Sequence, residues 1–345
     1  MLKEEDTFPK FILEIMKVIN RIINFFKKKI NDEFSIEKLN SFSIKPIFKK
    51  TLTEIYIERN IDYLLQEILN KFKEKNFILK IGVEIEFYLL DKNIIENDFY
   101  DEVKNFCKIN NIEIENIEKE RGQFQYEIEF KPYIDIAKLI NDYALLKSFL
   151  LQNFNITFET FPFFNQPFSA LQTNVNLVDE NNKNLFARED KNGEKNESKL
   201  LLNSIGGLLF YLNKFLKYYS NDGKDLIRYD LLINKILQKN GFVPAPTFIS
   251  WGVNNRTSSI RIPVPKDLND LKKYIENDNN SRRIEFRIAS SNADLKFVIF
   301  CNLFSILKGI NDNILPIEKT SYNVIEKNIG LKNIELEELK IYDII

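Results

Sequence analysis

Charged side chains alternate with apolar ones in several segments of this sequence, and their spacing could build a site for cations and phosphates. In a β-strand, residues two apart lie on one face about 7 Å from each other. The alternation is clearest in segments 80–89, 125–130 and 282–288, whose charged members include Glu84, Glu86, Glu127, Glu129, Arg283, Glu285 and Arg287. Each strand would present its charges on one face and pack its apolar residues on the other.

These residue types suit divalent cations and phosphoryl groups. Carboxylate oxygens are ligands for hard cations such as Mg²⁺ or Mn²⁺. Arginines, with Arg256 and Arg261 added to those above, present forked donors that hold phosphates or carboxylates. Alternating charge on an antiparallel strand is also typical of a face turned to solvent, and spacing alone does not show that the strands converge.

The composition excludes several other kinds of catalysis. The 345 residues include no histidine, so Ser-His-Asp and Cys-His mechanisms and histidine zinc sites are excluded. The two cysteines, Cys107 and Cys301, are isolated and indicate neither a disulfide framework nor a cysteine zinc site. The sequence contains no G-x-G-x-x-G turn and no P-loop motif.

The net charge and the hydropathy limit the kinds of partner that the protein can bind. The net charge of −1 gives no global reason to bind nucleic acid or an anionic membrane. The first residues are too charged for a secretory signal peptide, and no apolar stretch reaches the roughly 20 residues of a membrane span. We therefore expect a soluble cytoplasmic protein that binds neither nucleic acid nor membrane.

The spacing of the apolar residues predicts which helices and strands position these charged side chains. Residues 1–75 have the three- and four-residue period of helices, in two runs near 11–23 and 55–72. The polar segment 179–198 is predicted to be a solvated loop. From residue 79 onward, strand-like segments alternate with predicted helices at 133–151, 199–218 and 293–308.

Taken in order, the charged segments resemble the catalytic domain of glutamine synthetase. Gly82–Phe87 is similar to that family's G-x-E-x-E-F strand, and Gly122–Glu127 is similar to its G-P-G-Q-Y-E segment. The other matching segments, in the order of the family's motifs, are Gln166–Phe168, Asn174–Leu177, Asn184–Phe186, Ala245–Pro246, Asn255–Pro263, Arg283–Arg287 and Leu307–Ile310. The resemblance covers about residues 78–316.

This resemblance implies an α+β fold in which an antiparallel half-barrel sheet with flanking helices holds the active site. It puts a glutamine-synthetase-like catalytic domain at 76–345, after a helical N-terminal region at 1–75. In the family, ATP phosphorylates the side-chain carboxylate of glutamate and ammonia displaces the phosphate, while two divalent cations neutralise charge. ATP as a substrate and Mg²⁺ or Mn²⁺ as cofactors are therefore expected.

The family's functional residues map by resemblance onto particular positions. One cation would be surrounded by Glu84, Asn174 and Glu285, and the other would be held by Glu86 and Glu127. The nucleotide and its phosphates would be bound by Arg256, Arg261, Arg283 and Asn176. The residues expected to act on the transferred phosphoryl group or the substrate are Arg256 and Arg287.

Other positions depart from the family's pattern. Two histidines of the family are replaced by Asn174 and Asn176, and the third carboxylate of the second cation site aligns with Lys119. Glu118 or Glu120 could replace that carboxylate if the loop slips by one residue. The positions that would hold the substrate amino acid and ammonium are occupied by Ser169, Ala170, Gln238 and Pro244. Residues 1–75 look too short for the family's β-grasp domain, whose loop completes a neighbouring subunit's site.

Retained and lost positions together predict a divergent member of the ATP-dependent carboxylate–amine ligase class. It would keep Mg–ATP binding without being a competent glutamine synthetase. Two alternatives stay open: a catalytically inactive pseudoenzyme that acts as a binding or assembly subunit, and a working glutamate–ammonia ligase with an altered site. The expected partners are a nucleotide, a small carboxylate and an amine, and a homo-oligomer is left open.

Overall fold

The computed structural model describes residues 51–91, 96–164, 166–191, 194–265 and 279–340. The strands in these residues are β1 (Ile78–Leu89), β2 (Ile114–Lys119), β3 (Gln125–Phe130), β4 (Ile156–Thr157), β5 (Leu171–Val178), β6 (Glu189–Lys191), β7 (Glu194–Asn196), β8 (Trp251–Val253), β9 (Ile260–Ile262) and β10 (Ile284–Phe286). The helices are α1 (Leu52–Glu74), α2 (Glu96–Ile109), α3 (Ile136–Asn153), α4 (Lys199–Tyr219), α5 (Leu231–Lys239) and α6 (Leu295–Asn311), with a 3₁₀ helix at Leu226–Tyr229.

Most of these strands form one open sheet. Its order is β2-β3-β1-β5-β10-β9-β8, and β4 pairs with β1. The neighbouring strands of this sheet run antiparallel, except that β8 and β9 run parallel at one edge. The predicted α+β fold, a sheet with flanking helices, is confirmed, and the parallel pair is a departure from the expected antiparallel order.

The long strand β1 shows why the sheet has an apolar and a charged face. Val83, Ile85 and Phe87 are at most 2% exposed and belong to the main hydrophobic core. Side chains alternate along a strand, so Glu84 and Glu86 must lie on the opposite face. Core residues from α1, α3, α4 and α6 belong to the same apolar cluster, which leaves the charged face available for a site.

Helices α4 and α6 pack closely because glycines lie where they meet. A Cβ atom at Gly207 would lie 2.0 Å from the carbonyl oxygen of Ser305, and one at Gly309 would lie 2.2 Å from that of Asn203. A side chain at either position would force the two backbones apart. The buried helix predicted at 293–308 is confirmed as α6, whose residues are buried on nearly every side.

Several sequence predictions differ from the structure in detail. The predicted loop at 179–198 contains two short antiparallel strands, β6 and β7, that pair with each other. Helix α2 has no counterpart in the sequence prediction, since only Phe99, Val103 and Cys107 mark its buried face amid many charged residues. The helical run near 55–72 is confirmed as α1.

Some predictions concern parts of the chain that the structure does not address. The helix predicted near 11–23 lies outside the described residues, and the domain boundary at residue 75 stays a prediction. Among the described helices, none is long and apolar enough to cross a membrane.

Candidate active site

A cleft of about 990 Å³ lies over the charged face of the sheet. The carboxylates that line it are those of Glu84, Glu86, Glu118, Glu120, Glu127, Glu129 and Glu285. The cationic residues that line it are Lys119, Arg121, Arg228, Arg256, Arg261, Arg283 and Arg287. The cleft is therefore dense in both signs of charge, as a site for cations and phosphates requires.

The strand register explains why the carboxylates meet. Glu118 is opposite Glu127, which is opposite Glu86, so a row of three carboxylates crosses β2, β3 and β1. In the next row, Glu129 is opposite Glu84. Directly opposed residues share one face of the sheet, with Cβ atoms about 5 Å apart. The alternating charges therefore converge on the floor of a cleft.

The residues predicted for the first cation site lie together. Asn174 donates from Nδ2 to Oε1 of Glu84 at 2.6 Å, and it accepts on Oδ1 from Nε of Arg283 at 2.8 Å. Glu285 is opposite Asn174 in the sheet. Burial, followed by the charges of Glu285 and Glu129, raises the pKa of Glu84 to about 7. A bound cation would offset this cost of ionising Glu84.

Glu285 is held between two arginines. Its Oε2 accepts from Nη1 of Arg261 at 2.7 Å, and its Oε1 accepts from Nη1 of Arg287 at 2.6 Å. Burial alone would raise the pKa of Glu285, but Arg287 and Arg261 outweigh it and hold that pKa below its ordinary value. Glu285 is therefore ionised at neutral pH and orients two of the predicted site arginines.

Glu86 accepts hydrogen bonds from three amide groups. The backbone N–H of Ala170 and Nε2 of Gln125 donate to its Oε2 at 2.9 and 3.2 Å, and Nε2 of Gln172 donates to its Oε1 at 3.0 Å. Burial, followed by the charge of Glu120, nevertheless raises the pKa of Glu86 to about 7. The amide groups thus fix the orientation of Glu86 without satisfying its charge.

Glu118, Glu127 and Glu129 form a cluster whose carboxylate oxygens lie within 4.8 Å of one another. Burial, and then the surrounding carboxylates, raises the pKa of Glu127 well above its ordinary value. These oxygen ligands fit a hard divalent cation such as Mg²⁺ or Mn²⁺. The cation-binding roles of the residues predicted from the sequence stay predictions.

The predicted nucleotide-binding residues differ in how freely they can contact a ligand. Arg256 is exposed in the cleft and has no hydrogen bond or ion pair with any described residue. Arg261 and Arg283 are each engaged by a neighbouring side chain, as above, yet both line the cleft. Asn176 is not among the residues that line it, although its side-chain Oδ1 is buried without a partner in the described chain.

Arg228 is a site residue that the sequence prediction missed. It lies in the 3₁₀ helix, is 4% exposed, and donates from Nη1 and Nη2 to the carbonyl oxygens of Ser169 and Arg287 at 3.0 and 3.2 Å. Its Nε has no partner, and no carboxylate forms an ion pair with it among the described residues. The signal in the sequence is slight: one arginine in the apolar stretch Leu226–Tyr229.

An apolar wall borders the same end of the cleft as Arg228. It is formed by Pro167, Phe168 and the segment 243–245. Asn234 links the 3₁₀ helix to the segment 243–245 by hydrogen bonds. Its Nδ2 donates to the carbonyl oxygen of Arg228 at 2.8 Å, and its Oδ1 accepts from the N–H of Ala245 at 2.7 Å. The loop that contains Pro244 is thus anchored beside Arg228, with no carboxylate in the segment 243–245.

Comparison with known proteins identifies the relatives of this chain. The family described as glutamine synthetase, catalytic domain, matches residues 95–338. The glutamine synthetase of Pyrococcus abyssi is 26% identical over 291 residues, which cover 77% of this chain and 60% of that protein. Gamma-glutamylputrescine synthetase PuuA of Escherichia coli is 21% identical over 291 residues, which cover 74% of this chain and 56% of that protein.

Solved structures share the fold. A GmaS/ADP complex superposes with a TM-score of 0.61 at 18% identity, covering 82% of this chain and 66% of that one. Plasmodium falciparum glutamine synthetase gives a TM-score of 0.60 at 17% identity, covering 76% of this chain and 58% of that one. The chain spans about three fifths of the length of the curated relatives named above.

Proposed function

This chain belongs to the glutamine synthetase family, and from that premise we propose that it is an ATP- and divalent-cation-dependent carboxylate–amine ligase. We propose further that it is not a competent glutamine synthetase. The observation that carries the first proposal is the convergence on one cleft of carboxylates and arginines from five strands, from the segments between strands and from the 3₁₀ helix. Such a site can hold a triphosphate and its cations beside an acid.

The reaction would run in two steps. A carboxylate oxygen of the acid attacks the γ-phosphorus of ATP, the bond to the bridging oxygen breaks, and ADP leaves. The amine nitrogen then attacks the acyl carbon, phosphate leaves with its electron pair, and the nitrogen transfers a proton to the departing phosphate to form the amide. Bound divalent cations would neutralise phosphate charge during the first step.

The chain's own residues have separate parts in this scheme. Glu84, Asn174 and Glu285 would hold one cation, and Glu86 and Glu127 would hold the second. Arg256 is free to contact a phosphate, because it is exposed in the cleft and unpaired among the described residues.

Arg228 would bind the carboxylate of the acid substrate. Its guanidinium group is buried in the cleft wall and has no ion-pair partner among the described residues. Bringing a carboxylate to such a group forms a charge-assisted hydrogen bond that the free protein lacks. Arg287, whose carbonyl oxygen accepts from Arg228, would lie next to the same acid.

The apolar wall is the reason to doubt glutamate and ammonium as the substrates. In the segment 243–245, Val, Pro and Ala border the cleft where the resemblance predicts a carboxylate that deprotonates ammonium. One relative is named gamma-glutamylputrescine synthetase, and putrescine is an amine larger than ammonia. We therefore propose that the acid or the amine of this protein differs from those of glutamine synthesis.

Calorimetry of ATP binding with and without Mg²⁺ tests the proposal. We expect binding to require Mg²⁺ and to weaken at least tenfold in Glu84→Ala, because a half-buried carboxylate that would hold the cation is lost. Glu102→Ala is the matched control, since Glu102 is an exposed glutamate on α2 outside the cleft. Unchanged nucleotide affinity in Glu84→Ala would refute the proposal. An ADP-release screen over acids and primary amines, ammonium included, then identifies the substrates.

A pseudoenzyme is the second candidate, and one observation favours it. Glu285 is ion-paired with both Arg261 and Arg287, so part of the charged floor is satisfied without a ligand. This candidate predicts no ADP release with any acid–amine pair. It also predicts that self-association or partner binding persists after Glu84 and Glu127 are both replaced by Gln.

A further inference from the structure

The row of carboxylates across β2, β3 and β1 distinguishes between Glu118 and Glu120, the two alternatives for the third carboxylate of the second cation site. Glu118 is opposite Glu127, and Glu127 is opposite Glu86, so all three side chains are on the cleft face. The next residue, Lys119, is opposite Tyr126 and must point to the other face. This placement follows from the two-residue period of the strand.

The contacts of Lys119 agree with this orientation. Its Nζ lies 4.0 Å from Oε2 of Glu96, which is in the first turn of α2. Tyr126, its partner in β3, is 4% exposed and stacks on Phe87 in the main core. The Lys119 side chain therefore extends toward α2 on the helix-covered side of the sheet. Lys119 lines only the border of the cleft, and the side chain that faces the cleft floor is that of its neighbour, Glu118.

The surroundings of Glu127 are a second observation that points to a bound cation. It is 4% exposed, and in the described chain no backbone or side-chain donor outside the carboxylates hydrogen-bonds to it. Ionising a carboxylate buried in this way costs free energy unless a cation pairs with it. Its oxygens face those of Glu118 and Glu129, all within 4.8 Å of one another.

That spacing is suited to one ion. Ligand oxygens that lie about 2.0–2.6 Å from Mg²⁺, Mn²⁺ or Ca²⁺ are at most about 5 Å from one another. The three oxygens satisfy this limit without any movement of the backbone. Glu86, the next residue of the row, already accepts from three amide groups, so Glu118 is the less engaged carboxylate beside Glu127.

Glu120 is the competing residue, and its position is different. It follows the end of β2, and its Oε2 accepts from the N–H of Arg121 at 3.1 Å. It lines the cleft but is not part of the cluster of oxygens within 4.8 Å. A loop slip of one residue is therefore unnecessary to supply a third carboxylate.

We propose that Glu118 is the third carboxylate of the second cation site, coordinating together with Glu127 and Glu129 in place of Lys119. This inference rests on the proposed function, which requires divalent cations. It shifts the site from the Glu86–Glu127 pair toward β2, and it makes Glu118 a residue whose loss removes cation affinity while the phosphate-binding arginines remain.

Binding of Mn²⁺ to the nucleotide-free, full-length protein tests the assignment, by calorimetry and by electron paramagnetic resonance of free Mn²⁺. Wild type is expected to bind two ions. We expect Glu118→Gln to weaken one of them by at least about tenfold, since even outer partners of metal ligands cost about 10–100-fold. Glu120→Gln and the control Glu102→Gln are expected to bind as wild type does.

The outcomes separate this inference from the function on which it rests. If wild type binds Mn²⁺ and Glu118→Gln retains both affinities, the assignment is overturned while the ligase proposal stands. A loss in Glu120→Gln in place of Glu118→Gln also overturns it, in favour of Glu120. If wild type binds no Mn²⁺, the proposed function fails as well. Glu118→Asp, which keeps the charge and shortens the side chain, should weaken the ion less than Glu118→Gln does.

Discussion

Replacing Glu285 by Gln is expected to destabilise the protein, whereas the same replacement at Glu127 is expected not to. The two residues are a matched pair, because both are glutamates in the cleft floor and are 2% and 4% exposed. They differ in their surroundings. Glu285 lies between two guanidinium groups, while Glu127 lies among carboxylates. Their pKa values are shifted in opposite directions for this reason.

The size of the effect at Glu285 follows from its two ion pairs. Removing one partner of a buried ion pair costs about 3–5 kcal/mol, and Gln keeps one acceptor, so we expect ~3 kcal/mol. The unfolding entropy of roughly 2.1 cal/mol/K per residue gives ~0.6 kcal/mol/K for the roughly 300 residues from Lys50 to Ile345. The melting temperature of Glu285→Gln should therefore fall by about 5 °C.

At Glu127 the electrostatic environment favours the protonated side chain, the opposite of the environment at Glu285. Its pKa is raised by burial and by the neighbouring carboxylates, so the side chain is protonated over a wider pH range than an ordinary glutamate. Gln imitates the protonated acid. The melting temperature of Glu127→Gln should therefore equal that of wild type where Glu127 is protonated and exceed it as rising pH ionises Glu127, in buffer that contains a chelator.

Differential scanning fluorimetry or circular dichroism measures both variants under the same conditions. Millimolar phosphate should restore part of the loss in Glu285→Gln, because the freed guanidinium groups of Arg261 and Arg287 can then bind an anion. A shift of less than about 1 °C in Glu285→Gln, or an equal loss in both variants, would refute the electrostatic account of the cleft floor.

Three other predictions follow from the same contacts. Because the pKa of Glu84 is raised to about 7, its contribution to stability is present below pH 4.5 and is lost as the pH rises through 7. Metal-free protein should therefore lose stability over that interval, and Mn²⁺ should remove the loss. Calorimetry in two buffers at pH 6 should detect proton release when Mn²⁺ binds. Arg228→Lys should raise the KM for the acid about tenfold with ATP affinity unchanged, and Arg256→Met should do the reverse; steady-state ADP release and calorimetry separate the two. Gly309→Ala should cost about 1–3 kcal/mol in thermal unfolding through overpacking, whereas Gly82→Ala, whose Cβ would meet no atom closer than 3.4 Å, should cost less than about half of that.

The sequence was sufficient for the character of each strand. Alternation in β1, β3 and β10 requires one apolar and one charged face, because successive side chains point to opposite sides. The residue types on the charged face, and the absence of histidine, already restrict the chemistry to carboxylates, amides and guanidinium groups. Motif order indicated the family before the fold was known.

The chain's own sequence could not decide which charged residues meet. Register is a property of a pair of strands, and a slip of one residue moves every side chain to the other face. Glu118 and Glu120 were equal alternatives for the third carboxylate until the β2–β3 register put Glu118 opposite Glu127.

Arg228 shows the same limit for a buried charge. Its two hydrogen-bond acceptors are backbone carbonyls 59 residues away on either side in the sequence, at Ser169 and Arg287, so no local pattern marks it as a site residue. Local alternation thus determined which side chains are polar and which face they share. Tertiary structure alone decided which carboxylates are paired with arginines and which crowd one another, because distances between strands determine electrostatic partners.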